Sequence, residues 1–248
     1  MSLSTVVAGV DGSLVSVRAL DRAAREAVRR GVPLRVMYAV PDHDAAEPVL
    51  ASAVSRVHRR HPGLPVTTLA VETSAVEALA SASTDAALTV VGTRGLGAVA
   101  GLVRGAVSAR LVAKAHGPLL VVRGDRPHDD IGDVLLALER DTDAEAAVQA
   151  MREAARRGVR LRVLRSHTRV EPAAVPRFTM AGPRDRGPGV EVENRTHRTT
   201  AAQAQTLVEA TRRAAVVVAG SPRGVRPGPV VHALLRRSHC PVIVVPCG

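Results

Sequence analysis

The sequence predicts an α/β protein of two tandem open domains, each built on a five-stranded parallel sheet, with the second copy degenerate. Three observations carry this. Between Thr5 and Val122, short apolar runs alternate with amphipathic helical stretches in the order βαβαβαβαβ, which calls for parallel strands joined by crossover helices. The apolar runs are rich in β-branched residues and lack polar alternation, as strands buried on both faces do. Finally, residues 134–246 repeat the landmarks of residues 6–123 in the same order, as a duplication would.

The first strand is Thr5–Val10, followed by Asp11-Gly12-Ser13. Ser13 or Ser16 can cap a helix whose apolar positions (Val17, Leu20, Ala24, Ala27, Val28) recur at helical spacing, and Gly31 ends it. Leu34–Val40 is the second strand, and Pro41 opens a polar loop. Val49–Val57 forms a helix running into His58-Arg59-Arg60-His61, a cluster placed as a solvated helix end should be, where cations favour the dipole. Pro65–Val71 is the third strand. Ser74 opens a helix to Ala82 with Glu77 at capping-box spacing, and Leu88–Val91 is the fourth strand.

The stretch that follows is the most informative in the chain. Gly92, Gly95 and Gly105 give the spacing G-x2-G-x9-G, then comes a helix through Ala106, Val107 and Ser108, and Gly117-Pro118 leads into a last strand, Leu119–Val122. Glycines after a strand let backbone approach a ligand closely, and amides at the next helix N-terminus suit an anion. A phosphate would sit between Gly92–Gly95 and Gly105–Ser108. Open parallel sheets bind ligands beyond their strand C-termini, which puts Asp11, Ala39 and Gly92–Gly95 at one edge. Packing is the competing reason for glycines in such a turn, and a plain turn residue the competing reading of Asp11.

Gly124–Asp133 is a charged joint containing Pro and Gly, so domains are expected at 1–124 and 134–248 with a linker at 125–133. In the second copy Val134–Leu138 matches the first strand, and a helix from about Asp143 to Arg157 matches the first helix. Leu161–Leu164 matches the second strand, Val216–Gly220 matches Thr89–Gly92, and Gly228–Pro241 matches Gly105–Pro118. It departs where a ligand would bind. Glu139 stands for Asp11, and an irregular Pro/Gly-rich segment (Val170–Gly189) replaces the second helix. Only Val225-Arg226-Pro227 separate Gly224 from Gly228, and Pro229 and Val231 replace Ala106 and Ser108. The second half reads as scaffold.

Composition narrows the function. With one Tyr, one Phe and no Trp among 248 residues, the core is aliphatic. The net charge of +11 is spread, with 14 basic against 9 acidic residues in 1–124 and 20 against 14 in 125–248. No aromatics interleave with the arginines to stack bases, which argues against nucleic acid as the main partner. Cys240 and Cys247 lack the four-ligand pattern of a zinc site. No signal-peptide pattern opens the chain and no run is long enough for a membrane span, so a cytoplasmic protein is expected. The glycine loop lacks the G-K-[ST] of a Walker motif. His116 and His239 recur at equivalent helix ends, as structural residues would, and Ser13 and Ser108 have no identifiable His/Asp partners. No enzyme is therefore expected, slow ATP hydrolysis being the one turnover the motif leaves room for.

With Val10-Asp11-Gly12-Ser13 after the first strand, the G-x2-G-x9-G spacing and the tandem copy, the chain resembles the universal stress protein family. The resemblance is strong over 1–123 and weak over 130–246. It implies an adenine-nucleotide-binding α/β fold that pairs through its last strands, here Leu119–Val122 and Pro241–Val244, within the chain or as a homodimer. It further implies that Gly9 and Asp11 lie on the ribose and phosphate side, with Asp11 able to hold Mg²⁺. Backbone at Ala39 would meet the adenine edge, Val91, Gly92 and Gly95 would line the loop, and Gly105, Ala106, Val107 and Ser108 would hold the phosphates of ATP, ADP or AMP. Family members that bind ATP carry Ser or Thr where this chain has Ala106. Losing one such hydrogen bond costs about 0.5–1.5 kcal/mol, or about twice that to a charged group, which weakens binding about tenfold without abolishing it. The two readings are thus a nucleotide-binding stress or signalling protein with an unknown protein partner, and an interaction module of the same fold without a ligand.

Overall fold

In a computed structural model, which describes residues 4–39, 46–93, 106–123, 131–138, 143–168, 189–197 and 200–248, the apolar runs align into one ten-stranded sheet. The first half contributes β1 (Thr5–Val10), α1 (Leu14–Arg30), β2 (Leu34–Ala39), α2 (Glu47–Arg60), β3 (Val66–Val71), α3 (Ala75–Ala82), β4 (Ala86–Gly92), α4 (Ala106–Lys114) and β5 (Leu119–Val122). The second contributes β6 (Asp133–Leu138), α5 (Ala144–Arg157), β7 (Leu161–Thr168), β8 (Val190–His197), α6 (Thr200–Ala210), a 3-10 turn (Thr211–Arg213), β9 (Ala214–Pro222), α7 (Pro229–Arg237) and β10 (Val242–Cys247).

The strand order is β3-β2-β1-β4-β5-β10-β9-β6-β7-β8. Each half is a five-stranded parallel sheet with the same internal order, and the second half runs outward from the join in mirror sequence. The join is antiparallel: β5 lies against β10 with Val121 opposite Val242, Leu120 opposite Ile243 and Leu119 opposite Val244. These are the runs expected at the pairing edge, and of the two arrangements left open the structure has the one within a single chain. Both strands now have neighbours on either side, so neither offers an edge to a second copy.

Right-handed crossovers moving one way along a sheet put their helices on one face. Accordingly α1, α2 and α5 cover one face, around Leu20, Leu34, Leu88, Leu120, Val134, Leu136 and Ile243. Helices α3, α4, α6 and α7 cover the other, around Val7, Leu79, Leu111, Leu119, Leu135, Leu207 and Leu234. The expected landmarks locate the helix ends. Ser13 is the cap of α1, its hydroxyl accepting from the Ser16 amide at 3.2 Å. Gly31 and Gly158 close α1 and α5 in the left-handed region, at φ 63° and 64°. Ser74 accepts from the Glu77 amide at 3.3 Å, while the Glu77 carboxylate points to Lys114 at 3.8 Å. Helices α4 and α7 begin and end at matching positions of the Gly105–Pro118 and Gly228–Pro241 segments.

His116 and His239 sit just past those helices, and what holds them is their backbone. The His116 amide donates to Ser83 Oγ and the His239 amide to Thr211 Oγ1, both at 2.9 Å. Both hydroxyls are buried and themselves donate to a carbonyl of the preceding helix, Ala80 and Val208 respectively. The repetition is architectural.

Two elements had not been anticipated, and one stripe was misjudged. Strand β8 and helix α6 complete the second sheet beyond β7. Val28, expected in the buried stripe of α1, is 51% exposed. The stripe turns instead through Ala19, Leu20, Ala23, Ala24 and Ala27, and carries two buried charged residues, Arg22 and Glu26.

Those charges belong to a ring where α1 meets α5. The Glu26 carboxylate pairs with Arg30 of its own helix and with Arg157 of α5 at 2.5 Å. Reciprocally, Glu153 pairs with Arg157 and with Arg30. All four side chains are within 2% of complete burial. Arg29 and Arg156 add outer contacts at 3.1 and 3.2 Å. The symmetry breaks at one place: Arg22 lies 3.2 Å from Glu26, where α5 has Gln149 donating to Glu153 at 2.9 Å. Burial pushes the Arg22 guanidinium down to about 9, with Arg157 and Arg29 adding to the effect and Glu26 opposing it.

Candidate functional site

In the first half the chain winds outward from β1 through β2 to β3, then returns past β1 to lay down β4. The crevice where this reversal occurs, beyond the C-terminal ends of β1 and β4, is where open α/β sheets take ligands. Ala8 lies opposite Val90, and Val10 opposite Tyr38. Continuing that register puts Asp11, Ala39 and Gly92 at the ends of three adjacent strands. Thr93 extends β4 by one bond, its amide donating to the Val122 carbonyl at 3.0 Å. Helices α1 and α4 both start at this edge, and neither has an acidic residue in its first turn. Asp11 stands at the start of α1, so it is the α4 N-terminus, with no acidic residue in its first turn, that favours an anion.

Residue by residue, the site is partly pre-committed. Asp11 Oδ1 accepts from the Ser13 amide at 3.1 Å, so half of the carboxylate shapes the turn, and its other oxygen has no partner among the described residues. Gly12, at φ 78°, takes the left-handed step that turns the chain into α1. Ala106 and Val107 form the first turn of α4, and Ser108 is buried. Gly95 and Gly105 lie outside the described residues.

The other glycines and Val91 have packing roles. A Cβ on Gly9 would stand 2.9 Å from the Leu79 side chain of α3, and Val91 is fully buried beside them. On Gly92 a Cβ would stand 2.6 Å from Val15 Cγ1 and 3.1 Å from the Val15 carbonyl oxygen. The space over Gly92 is thus filled by the first turn of α1. Sequence reasoning assigned that space to a ligand and missed Val15. Val15 stands two residues past the Ser13 cap, but nothing in the sequence sets it over Gly92.

The corresponding place in the second half is more acidic. A Cβ on Gly220 would meet the Asp143 carboxylate at 2.7 Å and Cys247 Sγ at 3.0 Å. Asp143 precedes α5 and Glu145 sits in its first turn. The Glu145 carboxyl is held below its usual range, first by its own backbone amide and then by that of Gly248. Burial, then the charges of Asp143 and Glu145, push the Cys247 thiol up. Asp143 and Glu145 thus stand where α1 has Ser13 and Val15.

Among the described residues, no group of three or more His, Cys, Asp or Glu side chains could hold a metal ion. Nor is any helix there long and apolar enough to cross a membrane.

The fold and this edge define an open parallel α/β protein with a ligand crevice beyond its strand ends. Similarity to known proteins narrows the class. The model of the universal stress protein family matches residues 3–123. A universal stress protein of Mycolicibacterium smegmatis is 30% identical, with 97% of this chain and 96% of the relative covered. One from Mycobacterium tuberculosis is 31% identical over 96% and 94%. In structure, a universal stress protein from Archaeoglobus fulgidus superposes over the full length of both chains with a TM-score of 0.73, at 17% identity, which speaks to fold alone. The chain belongs to the universal stress protein family.

Proposed function

We propose that the first half binds ATP or a related adenine nucleotide, and that the protein works in the cytoplasm in stress response or signalling by occupancy and not by turnover. The observation that carries this is the convergence of Asp11 and the α4 N-terminus, without an acidic first turn, on the crevice between β1 and β4. Phosphates would accept from the amides opening α4, ribose hydroxyls would donate to Asp11, and the backbone at Ala39 would border the base. Mg²⁺ would arrive with the nucleotide: Asp11 offers it one oxygen, and the ion takes its remaining ligands from phosphates and water. Among the described residues no cluster of three or more His, Cys, Asp or Glu side chains stands ready to hold the metals of phosphoryl transfer.

Thermal unfolding with Mg-ATP, ADP, AMP and GTP tests this. At a concentration about 100-fold above Kd, binding to the folded state adds about 2.7 kcal/mol, or about 5–10 °C for a chain of this size. The shift is expected with adenine nucleotides and is lost in Gly105→Asp, which sets a carboxylate beside the amides of α4. No shift with any nucleotide up to millimolar concentration overturns the proposal. The second reading, an interaction module without ligand, is favoured by the alanine at 106 and by Val15 filling the space over Gly92.

The charge contrast between the halves yields a further prediction. Calorimetric titration should find one nucleotide per chain, because Asp143 and Glu145 oppose phosphate at the equivalent edge. Two equal sites would contradict that account of the second half.

A further inference from the structure

A ten-stranded sheet has two ends, and this one treats them differently. At one end β8 reads Val-Glu-Val-Glu-Asn-Arg-Thr-His, with Glu191, Glu193 and Arg195 in the strand. Charges on an edge strand are a standard guard against pairing with another chain. At the other end β3 reads Val-Thr-Thr-Leu-Ala-Val, with neither charge nor proline. Thr67, Thr68 and Leu69 are exposed, Leu69 by 42%. This edge is unguarded.

The register says which of its groups are on offer. Leu34 lies opposite Val66, and the Leu34 amide donates to the Pro65 carbonyl at 2.9 Å. In a parallel ladder alternate residues face the neighbour, so Thr67, Leu69 and Val71 turn their backbone groups to β2. Val66, Thr68 and Ala70 turn theirs outward. That set is symmetric about Thr68.

We propose that β3 pairs antiparallel with β3 of a second copy of this chain about a two-fold axis at Thr68, joining two sheets edge to edge. Val66 then faces Ala70 of the second copy, Thr68 faces its own equivalent, and each opposed pair exchanges two backbone hydrogen bonds. No like charges meet along the strand.

Helix α2 supports the same axis. An open groove beside β3 is lined by Leu50, Ala51, Val54, Thr68 and Ala70, with Glu47 at one end. Along α2, Glu47, Ala51, Val54 and His58 lie on one stripe by helical spacing. The two-fold runs the two copies of α2 antiparallel, small and apolar residues meet at the centre, and Glu47 of each copy comes opposite His58 and Arg59 of the other. The first turn of α2 is acidic and its last turn basic, so the surface is complementary to itself, as a two-fold contact must be. The pairing uses neither the crevice at β1 and β4 nor the β5–β10 join, and it stands apart from nucleotide binding.

Sedimentation of the full chain over a range of concentrations tests it, on the wild type, Thr68→Pro and Thr68→Lys. The Thr68 amide faces away from β2, so proline there leaves the internal ladder whole, as at edges generally. Lysine there sets two like charges at the axis. The wild type is expected at the mass of two chains, with association weakened at least about tenfold in Thr68→Pro, the worth of the two hydrogen bonds lost, and up to about fivefold in Thr68→Lys, from like charges directly opposed, and with far-UV circular dichroism unchanged. If Thr68→Pro fails to fold, Thr68→Lys decides. A wild type that stays at the mass of one chain, or a dimer that the folded variants leave intact, overturns the proposal.

Discussion

Replacing Glu26 by alanine is expected to cost about 3–5 kcal/mol of stability, the usual penalty for removing one partner of a buried ion pair. Glu26 is fully buried, and its loss leaves Arg22, Arg30 and Arg157 facing one another with Glu153 as the remaining counter-charge. Since domains are commonly stable by only about 5–15 kcal/mol, the variant would sit near the limit of folding. Urea unfolding measures the effect directly. Asp21→Ala is the control: its pairs with Arg56 and Arg60 are partly exposed and worth about 0–1 kcal/mol. Equal losses in the two variants would mean that the ring does not hold the halves together. The ring also sets an acid limit. Burial by itself would raise the Glu26 carboxyl, but the guanidiniums of Arg157, Arg22 and Arg30 hold it down at about 2. A carboxyl lower in the folded than in the unfolded chain contributes fully above the unfolded value. Its contribution is lost as pH falls from about 4.5 toward about 2, so Glu26→Gln should unfold with less pH dependence in that window.

Nothing in the local pattern announced this ring. Arg29-Arg30 and Arg156-Arg157 end their helices where cations favour the dipole, and each pair reads as a solvated terminus. The helix from about Asp143 to Arg157 already matches the first helix in the repeat. Burial of the repeated charges follows only from bringing β5 against β10, which sets α1 and α5 side by side. Strand β8 was missed for a related reason. An edge strand need not be apolar, and Val-Glu-Val-Glu-Asn-Arg-Thr-His carries its signal in two valines amid charges. By contrast, the caps at Ser13, Gly31 and Ser74 were legible because each rests on contacts a few residues apart, and the parallel order of the first half and the α4–α7 correspondence because alternation and repetition are written along the chain. The edge at β1 and β4 was legible too, since topology fixes it. What fills it at Gly92 was not, because Val15 arrives from another element.

That contact gives the second large effect. Gly92→Ala puts a methyl group 2.6 Å from Val15 Cγ1 and 3.1 Å from the Val15 carbonyl oxygen. Valine is stiff about its one side-chain torsion, so the side chain cannot simply swing aside, and the first turn of α1 must move off β4. Overpacking of this kind costs about 1–3 kcal/mol. The displaced turn carries Ser13, whose amide is bound by Asp11, so the crevice should loosen along with the fold. Adding Val15→Ala removes the nearer clash and leaves the carbonyl contact, which a shift of a few tenths of an ångström relieves. The double variant should therefore recover at least about half of the lost stability, a coupling that independent sites would not show. Unfolding of the single and double variants measures the coupling, and nucleotide titration of the same set reads the crevice. If Gly92→Ala matched the wild type in stability, α1 would not be seated on β4 as described. If stability fell and returned with Val15→Ala but nucleotide affinity never moved, Gly92 would serve the packing of α1 alone, and the phosphate site would rest on α4.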